Sequence, residues 1–154
     1  MPVFQRILLF LFLNFSALGL GGFFTGSGVP SAWYQNLAKA PWTPPGWVFG
    51  FAWTGIMLCF SLYMAFLWNR CENKKNLILL YGFQWGLNVL WNPVFFHFHQ
   101  TGISMAIITA LSMLVGYLTF RFRMLLNLKS LLLLPYLVWL LIASSLNAYI
   151  VLYN

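Results

Sequence analysis

Five long apolar stretches dominate the sequence and constrain its fold more than any other feature. A helix needs about 20 consecutive apolar residues to cross the hydrocarbon core of a bilayer. Stretches of roughly this length, separated by polar breaks, cover Ile7–Gly26, Pro45–Trp68, Leu77–Phe98, Ile103–Phe120 and Leu131–Tyr153. Since backbone polar groups in lipid must be satisfied internally, they predict five transmembrane α-helices. The expected fold is an all-α integral membrane protein, a five-helix bundle forming one domain over residues 1–154.

Charged residues are scarce, which excludes several classes of function. They make up 6% of the chain, against about 25% in a soluble domain, so a soluble globule, a disordered chain and a nucleic-acid-binding protein are excluded. The formal net charge of +7 reflects missing acids, because Glu72 is the only acidic residue. A single carboxylate cannot form a paired acid–base site or an acidic metal cluster. We therefore expect no conventional catalytic constellation, no metal site and no required cofactor.

The distribution of basic residues predicts the orientation in the membrane. Lys39 alone follows the first stretch, and none of the Lys or Arg residues follows the third or the fifth. Loops rich in Lys and Arg stay in the cytoplasm. We expect the N-terminus in the cytoplasm and the C-terminus outside. The remaining basic residues share the cytoplasmic side in this arrangement: Arg6, Arg70, Lys74, Lys75, Arg121, Arg123 and Lys129.

One connection is much longer than the others and carries several aromatic residues. The link from Ser27 to Pro44 joins the first and second predicted helices, and long loops in compact domains are usually lids or binding loops. Thr43 is expected to cap the second helix, with Pro44 in the first helical position. The aromatic residues of the link suit a lid packed over the end of the bundle: Trp33, Tyr34 and Trp42.

The third predicted helix carries amides and large rings on one face. Gln84, Asn88, Trp91 and Phe95 fall on one stripe at about 100° per residue. Amides alone would be explained by hydrogen bonds between neighbouring helices, but such bonds do not require two large rings beside them. The stripe therefore indicates either helix–helix contacts or, taken as a set, one wall of a binding cavity.

The fifth predicted helix repeats this mixture of rings, amides and small residues. Trp139, Ala143 and Asn147 are spaced four residues apart, so a small side chain leaves a recess between a ring and an amide. Close packing by small residues is the alternative explanation. Trp53 on the second predicted helix adds a further ring. Together with the third helix, these positions predict a common cavity that opens towards the long link.

The chemistry of this predicted cavity favours a flat, apolar, polycyclic ligand. Ring faces complement such a ligand through burial and offset stacking, and amides can orient a few polar substituents. An ion pathway is disfavoured, because it would require carboxylates, a charge relay or rings of carbonyl groups. His97 and His99 are two residues apart and point in different directions on a helix, so they are not expected to hold a metal together.

Several sequence blocks resemble a known family. The most specific block is Pro41–Gly50, which reads PWTPPGWVFG, and further matches in the same order extend from about Gly19 to Tyr149. On these residues the chain resembles the TspO/MBR family of tryptophan-rich sensory proteins and translocator proteins, the peripheral-type benzodiazepine receptors. The other matching blocks include Trp33-Tyr34, Leu87-Asn88, Trp91–Phe96, Pro135–Trp139 and Ala143–Asn147.

The resemblance implies a five-helix bundle, often a homodimer, that lies in an outer or plasma membrane, here the plasma membrane, and binds ligands between its helices beneath the first loop. The implied ligands are porphyrins such as protoporphyrin IX or haem, cholesterol in animal members, and synthetic benzodiazepine-type compounds. Some bacterial members degrade protoporphyrin IX in a light-dependent oxidation that requires pocket tryptophans, so Trp53 and Trp139 are the catalytic candidates by analogy. The positions matching the family's pocket are Trp53, Asn88, Trp91, Phe95, Trp139, Ala143 and Leu146.

The sequence also departs from the animal members in one respect. Their last helix carries a sterol motif that ends in a basic residue, whereas Leu146–Asn154 contains no Lys or Arg. This difference points to a bacterial-type member. Three functions remain open: sensing or removal of tetrapyrroles, their light-dependent degradation, and transport of porphyrins or other hydrophobic molecules. Gly82 and Gly86 form a Gly-x-x-x-Gly pattern suited to a close helix contact or a dimer face.

Overall fold

The chain is helical throughout, and its long helices match the long apolar stretches. The computed structural model describes all residues from Met1 to Asn154 and contains no strands. A 3₁₀ segment, Asn127–Leu133, precedes the last helix. In chain order, the helices are α1 (Val3–Gly28), α2 (Ala32–Asn36), α3 (Gly46–Arg70), α4 (Lys74–Phe96), α5 (Thr101–Arg121), α6 (Arg123–Leu126) and α7 (Leu134–Tyr153).

The five long helices form a closed ring. α1 packs against α3 and α4, α4 packs against α5, α5 packs against α7, and α7 returns to α3. The short helix α2 lies in the link between α1 and α3. We call the end of the bundle that carries α2 and the α4–α5 turn the lid end. The opposite end, which carries the α3–α4 turn and α6, is the distal end.

Four segments are long and apolar enough to cross a membrane, so the chain is an integral membrane protein. Among the long helices α4 is the exception: it has 23 residues, but Lys74, Lys75 and three inner amides lower its hydropathy. Two of these amides, on Gln84 and Asn88, are buried inside the bundle. Length and composition therefore confirm four of the five predicted spans, and α4 is the one that they do not confirm. The four segments are Val3–Gly28, Gly46–Arg70, Thr101–Arg121 and Arg123–Tyr153.

The start of α3 differs from the prediction. The helix begins at Gly46, its N-cap position is Pro45, and no side chain caps it. Thr43 Oγ1 instead donates a hydrogen bond to the carbonyl oxygen of Ala40 at 2.7 Å, which closes a turn inside the link. The prediction of a Thr43 cap is wrong because a residue before proline is driven towards extended conformations, and two prolines in succession follow Thr43.

The distal half of the bundle is solidly packed. Phe60 and Tyr63 of α3 are completely buried. The Phe60 ring lies 5.9 Å from the Tyr81 ring and meets Tyr136 edge-on at 5.5 Å, measured between centroids. The Tyr63 hydroxyl donates to the carbonyl oxygen of Leu118 on α5 at 2.9 Å. Large rings from three helices therefore fill the centre of this half.

A buried chain of hydrogen bonds also joins three helices in the distal half. The Tyr81 hydroxyl donates to Asn14 Oδ1 at 2.7 Å, and Asn14 Nδ2 donates to Ser61 Oγ at 2.8 Å. Ser61 Oγ in turn donates to the carbonyl oxygen of Met57 at 2.7 Å. Polar side chains at membrane depth stabilise helix contacts when they are paired in this way. Asn14 thus connects α4 to α3 through α1.

The buried face of α1 becomes smaller towards the lid end. Its inner residues in chain order are Phe10, Asn14, Ala17, Gly21 and Gly28. A Cβ atom at Gly21 would lie 2.5 Å from Asn92 Nδ2 of α4, and one at Gly28 would collide with the Phe96 ring of the same helix. These two glycines allow α1 and α4 to approach closely. Because the inner residues of α1 are small towards the lid end, space remains in the lid half. In the distal half, large side chains fill the corresponding space.

Candidate functional site

The lid half of the bundle encloses a cavity of about 750 Å³ beneath the link. Residues of α1, α3, α4, α5 and α7 form its walls, and residues of the link cover one end. Sites for small molecules and cofactors are typically concave, mostly apolar clefts of about 300–1,000 Å³. The cavity has the size and the lining of such a site.

Most of the side chains predicted to bind a ligand lie at the wall of this cavity. Gln84 does not: it lies deeper in the bundle, where its Nε2 donates to the Tyr136 hydroxyl at 2.5 Å. Of the predicted lid residues, Tyr34 lines the cavity, whereas Trp33 and Trp42 pack outside its lining. The predicted ligand-binding residues that line the cavity are Trp53, Asn88, Trp91, Phe95, Trp139, Ala143, Leu146 and Asn147.

Stacked rings form the α4 wall. Trp91 and Phe95 are one helical turn apart, and their rings stack with centroids 5.0 Å apart and planes 14° apart. Phe96 meets Trp91 edge-on at 5.9 Å. The Trp91 indole N–H donates to Asn147 Oδ1 on α7 at 3.1 Å, which fixes the orientation of the ring. This wall therefore presents a fixed aromatic surface.

The two predicted amides in the cavity lining, Asn88 and Asn147, differ in how far they are already engaged. Asn147 Oδ1 accepts hydrogen bonds from Trp91 and from Ser104 Oγ, the latter at 2.9 Å, and Asn147 Nδ2 donates to the carbonyl oxygen of Thr101 at 3.0 Å. Asn147 is thus occupied in joining α4, α5 and α7. The Asn88 side chain forms no hydrogen bond within the protein; only its main-chain carbonyl accepts one, from Asn92. Asn88 is therefore the amide that is free to meet a ligand.

Two tryptophans form the wall on α3 and α7. Trp139 meets Phe49 edge-on at 5.3 Å, and Trp53 meets Tyr136 edge-on at 5.8 Å. The Trp139 side chain is 7% exposed, and its indole N–H has no hydrogen-bond partner. A buried donor without a partner is uncommon and costly. The Trp139 indole nitrogen is therefore a fully buried polar atom of the cavity wall without a partner.

Aromatic contacts hold the first part of the link over α4. Trp33 stacks on His99 at 4.0 Å with an interplanar angle of 11°, and it meets Phe95 edge-on at 5.5 Å. The Tyr34 ring lies 5.5 Å from Phe96. Burial raises the pKa of the Tyr34 hydroxyl above its ordinary value. Tyr34 consequently remains neutral under physiological conditions.

The later part of the link is fastened to α7. The Trp42 indole N–H donates to Ser145 Oγ at 3.1 Å, and the Trp42 ring meets Tyr149 edge-on at 5.6 Å. The Asn154 side chain pairs with the Ala38 backbone, accepting from the amide N–H at 2.8 Å and donating to the carbonyl oxygen at 3.1 Å. The link is therefore attached to both α4 and α7.

One charged residue lines the cavity. Lys39 lies at the lid end, where its Nζ donates to the carbonyl oxygen of Gln35 at 3.2 Å and sits 4.7 Å from the centre of the Tyr34 ring. Glu72, the only acid of the chain, lies in the α3–α4 turn at the distal end. The positive charge at the lid end of the cavity therefore has no acidic partner within the protein.

Sequence reasoning missed several residues of the site. Phe49 lies within the specific Pro41–Gly50 block, so its position in that block was the available signal. Thr25 Oγ1 donates to Asn92 Oδ1 at 2.9 Å, and both residues line the cavity. A lone threonine near the end of an apolar stretch gives no comparable signal.

Comparison with known proteins agrees with this architecture. The model of the TspO/MBR family matches residues 8–153. The chain is 34% identical over 138 residues to the tryptophan-rich sensory protein of Cereibacter sphaeroides, covering 89% of this chain and 87% of the relative. It is 38% identical over 140 residues to the tryptophan-rich protein TspO of Archaeoglobus fulgidus, covering 90% of each. Identity to the human translocator protein is 31% over 134 residues, covering 82% and 79%. The chain is a member of the TspO/MBR family of membrane proteins.

Proposed function

We propose that the protein binds flat, hydrophobic ligands of the porphyrin class, with protoporphyrin IX or haem as the expected ligand, in the cavity beneath the link. The observation that carries this proposal is the convergence of rings from three helices, Trp53, Trp91 and Trp139, on one cavity of suitable volume. Flat aromatic ligands gain from burial and offset stacking against such rings. The biological role would be sensing, removal or light-dependent degradation of tetrapyrroles.

Lys39 would give the cavity a preference for ligands that carry carboxylates, which the rings alone would not give. Protoporphyrin IX combines a flat apolar macrocycle with two carboxylates, and an unpaired ammonium group at the lid end of an apolar cavity attracts such groups. The macrocycle would lie among the rings, with Asn88 available for a polar contact. The carboxylates would lie at the lid end near Lys39.

The same proposal includes five membrane spans with the N-terminus in the cytoplasm of a bacterial-type cell. α4 packs between α1 and α5 along its length, and 23 residues reach about 34 Å at 1.5 Å per residue, enough to cross the hydrocarbon core. Its amides at membrane depth, on Gln84 and Asn88, are buried inside the bundle, and its only exposed amide, on Asn76, lies near its distal end. The basic residues at the distal end would then face the cytoplasm.

A homodimer is part of the proposal as well. A Cβ atom at Gly82 or Gly86 of α4 would meet no neighbouring atom within 4 Å in the protomer. Gly-x-x-x-Gly patterns allow close approach of membrane helices. Chemical crosslinking of the protein in bilayers should give dimers that Gly86→Ile weakens and Gly102→Ile leaves intact. Equal crosslinking of the parent and both variants would argue against this face.

Equilibrium titration with protoporphyrin IX tests the binding proposal. Ala143 lies in the cavity wall, so Ala143→Phe would fill space that the ligand needs, whereas Ala106 on α5 is exposed and outside the lining. With protein in lipid nanodiscs, we expect Ala143→Phe to weaken binding by about tenfold or more, a change of about 1.4 kcal/mol. Ala106→Phe should bind like the parent. Equal affinity of both variants would place the ligand elsewhere.

Light-dependent degradation is a second candidate function, favoured by the presence of Trp53 and Trp139 in the wall of the same cavity. In this reaction the porphyrin would absorb light and be oxidised by dioxygen, while the protein orients it and excludes water. Illumination of the complex in air should then change the porphyrin spectrum in a way that depends on these two tryptophans. Identical bleaching with Trp53→Phe and Trp139→Phe would exclude a catalytic role for them.

Transport of porphyrins or other hydrophobic molecules is the alternative. This cavity, with its one attached lid, does not by itself provide access from both sides of the membrane. Flux of protoporphyrin IX into vesicles containing the protein distinguishes the alternatives. Transport predicts flux that Ala143→Phe reduces, whereas a sensor or a degrading enzyme predicts binding without flux.

A further inference from the structure

The cavity is open on one side only. The lining residues contributed by α4, α5 and α7 are all buried or half-buried, as are those of the lid from Tyr34 onwards. Every exposed residue of the lining belongs to α1, to α3 or to the two positions directly after α1. On the two helices these exposed residues are Gly22, Gly26, Gly46, Gly50 and Thr54. The opening therefore lies between the lid-end halves of α1 and α3.

Glycines border this opening, and they differ from the glycines that pack against α4. A Cβ atom at Gly22, Gly26, Gly46 or Gly50 would meet nothing within 4 Å. In the distal half the same two helices are in direct contact, because Asn14 of α1 donates to Ser61 of α3. α1 and α3 thus touch at the distal end and leave an unfilled gap towards the lid end.

The attachments of the link lie away from this gap. Trp33 and Tyr34 hold the link to the end of α4, and Trp42 and the Ala38 backbone hold it to α7. A ligand that arrived from water beneath the link would have to break these contacts. A ligand that arrived between α1 and α3 would leave them in place.

The depth of the gap places it beside lipid rather than in water. Gly22 lies six residues from the end of α1 and Thr54 eight residues from the start of α3, which correspond to about 9 Å and 12 Å along the helices. The neighbouring Phe23 and Phe51 side chains are 74% and 76% exposed, as expected for groups that face acyl chains. A porphyrin is itself hydrophobic and partitions into the bilayer.

We propose that the ligand enters and leaves the cavity sideways from the bilayer, through the gap between the lid-end halves of α1 and α3, with Gly22 and Gly50 setting its width. This inference rests on the proposed binding of porphyrins. It assigns to the link the role of a fixed cover and to the glycines the role of controlling access.

Binding kinetics of protoporphyrin IX added through lipid vesicles to protein in nanodiscs test the inference. Gly22→Leu and Gly50→Leu place side chains across the gap, whereas Gly19→Leu and Gly55→Leu place the same side chain on the same helices outside the cavity lining. We expect the two gap variants to slow association and dissociation together by about tenfold with little change in Kd, and the control variants to match the parent. Unchanged rates in the gap variants would overturn the inference. Slower association with unchanged dissociation would overturn it too, because it would make the glycines part of the binding wall.

A second test weakens the attachment of the link to α7 and leaves the gap between α1 and α3 unchanged. Asn154→Ala combined with Trp42→Phe removes attachments to α7, and we expect the rates to stay within about twofold of the parent. Faster association in this variant would favour access from water beneath the link and contradict the lateral route. The parent protein separates the two proposals: if it fails to bind protoporphyrin IX, the proposed function falls, whereas if it binds at rates that the gap variants do not alter, the lateral route alone falls.

Discussion

The two halves of the bundle are built from the same kind of apolar sequence but have opposite interiors. In the distal half, Phe60 and Tyr63 fill the centre, and Asn14 is paired through a continuous chain of hydrogen bonds. In the lid half the corresponding face of α1 has shrunk to Gly21 and Gly28, and rings stand around an open space. The size of the inner side chains along α1 therefore determines which half of the bundle is packed and which contains the cavity. Changes in the distal half should therefore affect stability, and changes in the lid half should affect binding.

The largest expected effect is the loss of a distal ring. Phe60→Ala removes a completely buried side chain, and such truncations cost about 3–5 kcal/mol because a cavity remains. Unfolding by SDS in mixed micelles should show this loss, while Phe12→Ala, at an exposed position on α1, should unfold like the parent. If Phe60→Ala lowered ligand affinity without lowering stability, the division between the halves would be wrong.

A pair of glycines on α1 separates close packing from open space. Gly28→Ala would press a methyl group into the Phe96 ring, and overpacking of this kind typically costs about 1–3 kcal/mol. Gly26→Ala meets nothing within 4 Å and should be neutral or stabilising by up to about 1 kcal/mol, because alanine favours helix over glycine. The same unfolding assay measures both. Equal stability of the two variants would contradict the close approach of α1 to α4.

A pair of asparagines tests the comparison with a single type of side chain. Asn14→Ala breaks the hydrogen bonds that join α4 to α3 and should cost about 1–2 kcal/mol of stability without changing ligand affinity. Asn88→Ala leaves stability nearly unchanged and should weaken protoporphyrin IX binding by about three- to tenfold, the value of one hydrogen bond. Titration and unfolding of both variants measure these effects. If Asn88→Ala lowered stability and left the affinity for protoporphyrin IX unchanged, Asn88 would be a structural amide.

The smallest expected effect concerns the charge of Lys39 at the lid end of the cavity. Lys39→Met should weaken binding of protoporphyrin IX by about two- to fivefold, since Lys39 is only half-buried and ion pairs in contact with water contribute little. Its dimethyl ester lacks the carboxylates and should bind parent and variant equally. Lys75→Met, at the distal end, is the matched control. An equal loss for acid and ester would show that Lys39 acts by shape rather than charge.

The sequence predicted the helical membrane architecture and the family because both depend on local patterns. Apolar length marks the helices, and the Pro41–Gly50 block is specific in itself. The spacing of residues on one face of α4 predicted the binding site less well. Gln84 and Asn88 are one turn apart, yet Gln84 donates a hydrogen bond to Tyr136 whereas Asn88 lines the cavity. Which side chain stands opposite depends on the neighbouring helix, and spacing along one helix does not encode that. Asn14 and the tapering of α1 were missed for the same reason.

The most direct test of a porphyrin site in the hollow lid half is a structure of the protein with protoporphyrin IX bound in a lipid environment. We expect the macrocycle to lie between the Trp53 and Trp139 wall and the stacked Trp91 and Phe95 rings, with its carboxylates towards Lys39. The distal half should be unchanged. A macrocycle lying on the outer, lipid-facing surface, with the cavity beneath the link empty, would contradict the account.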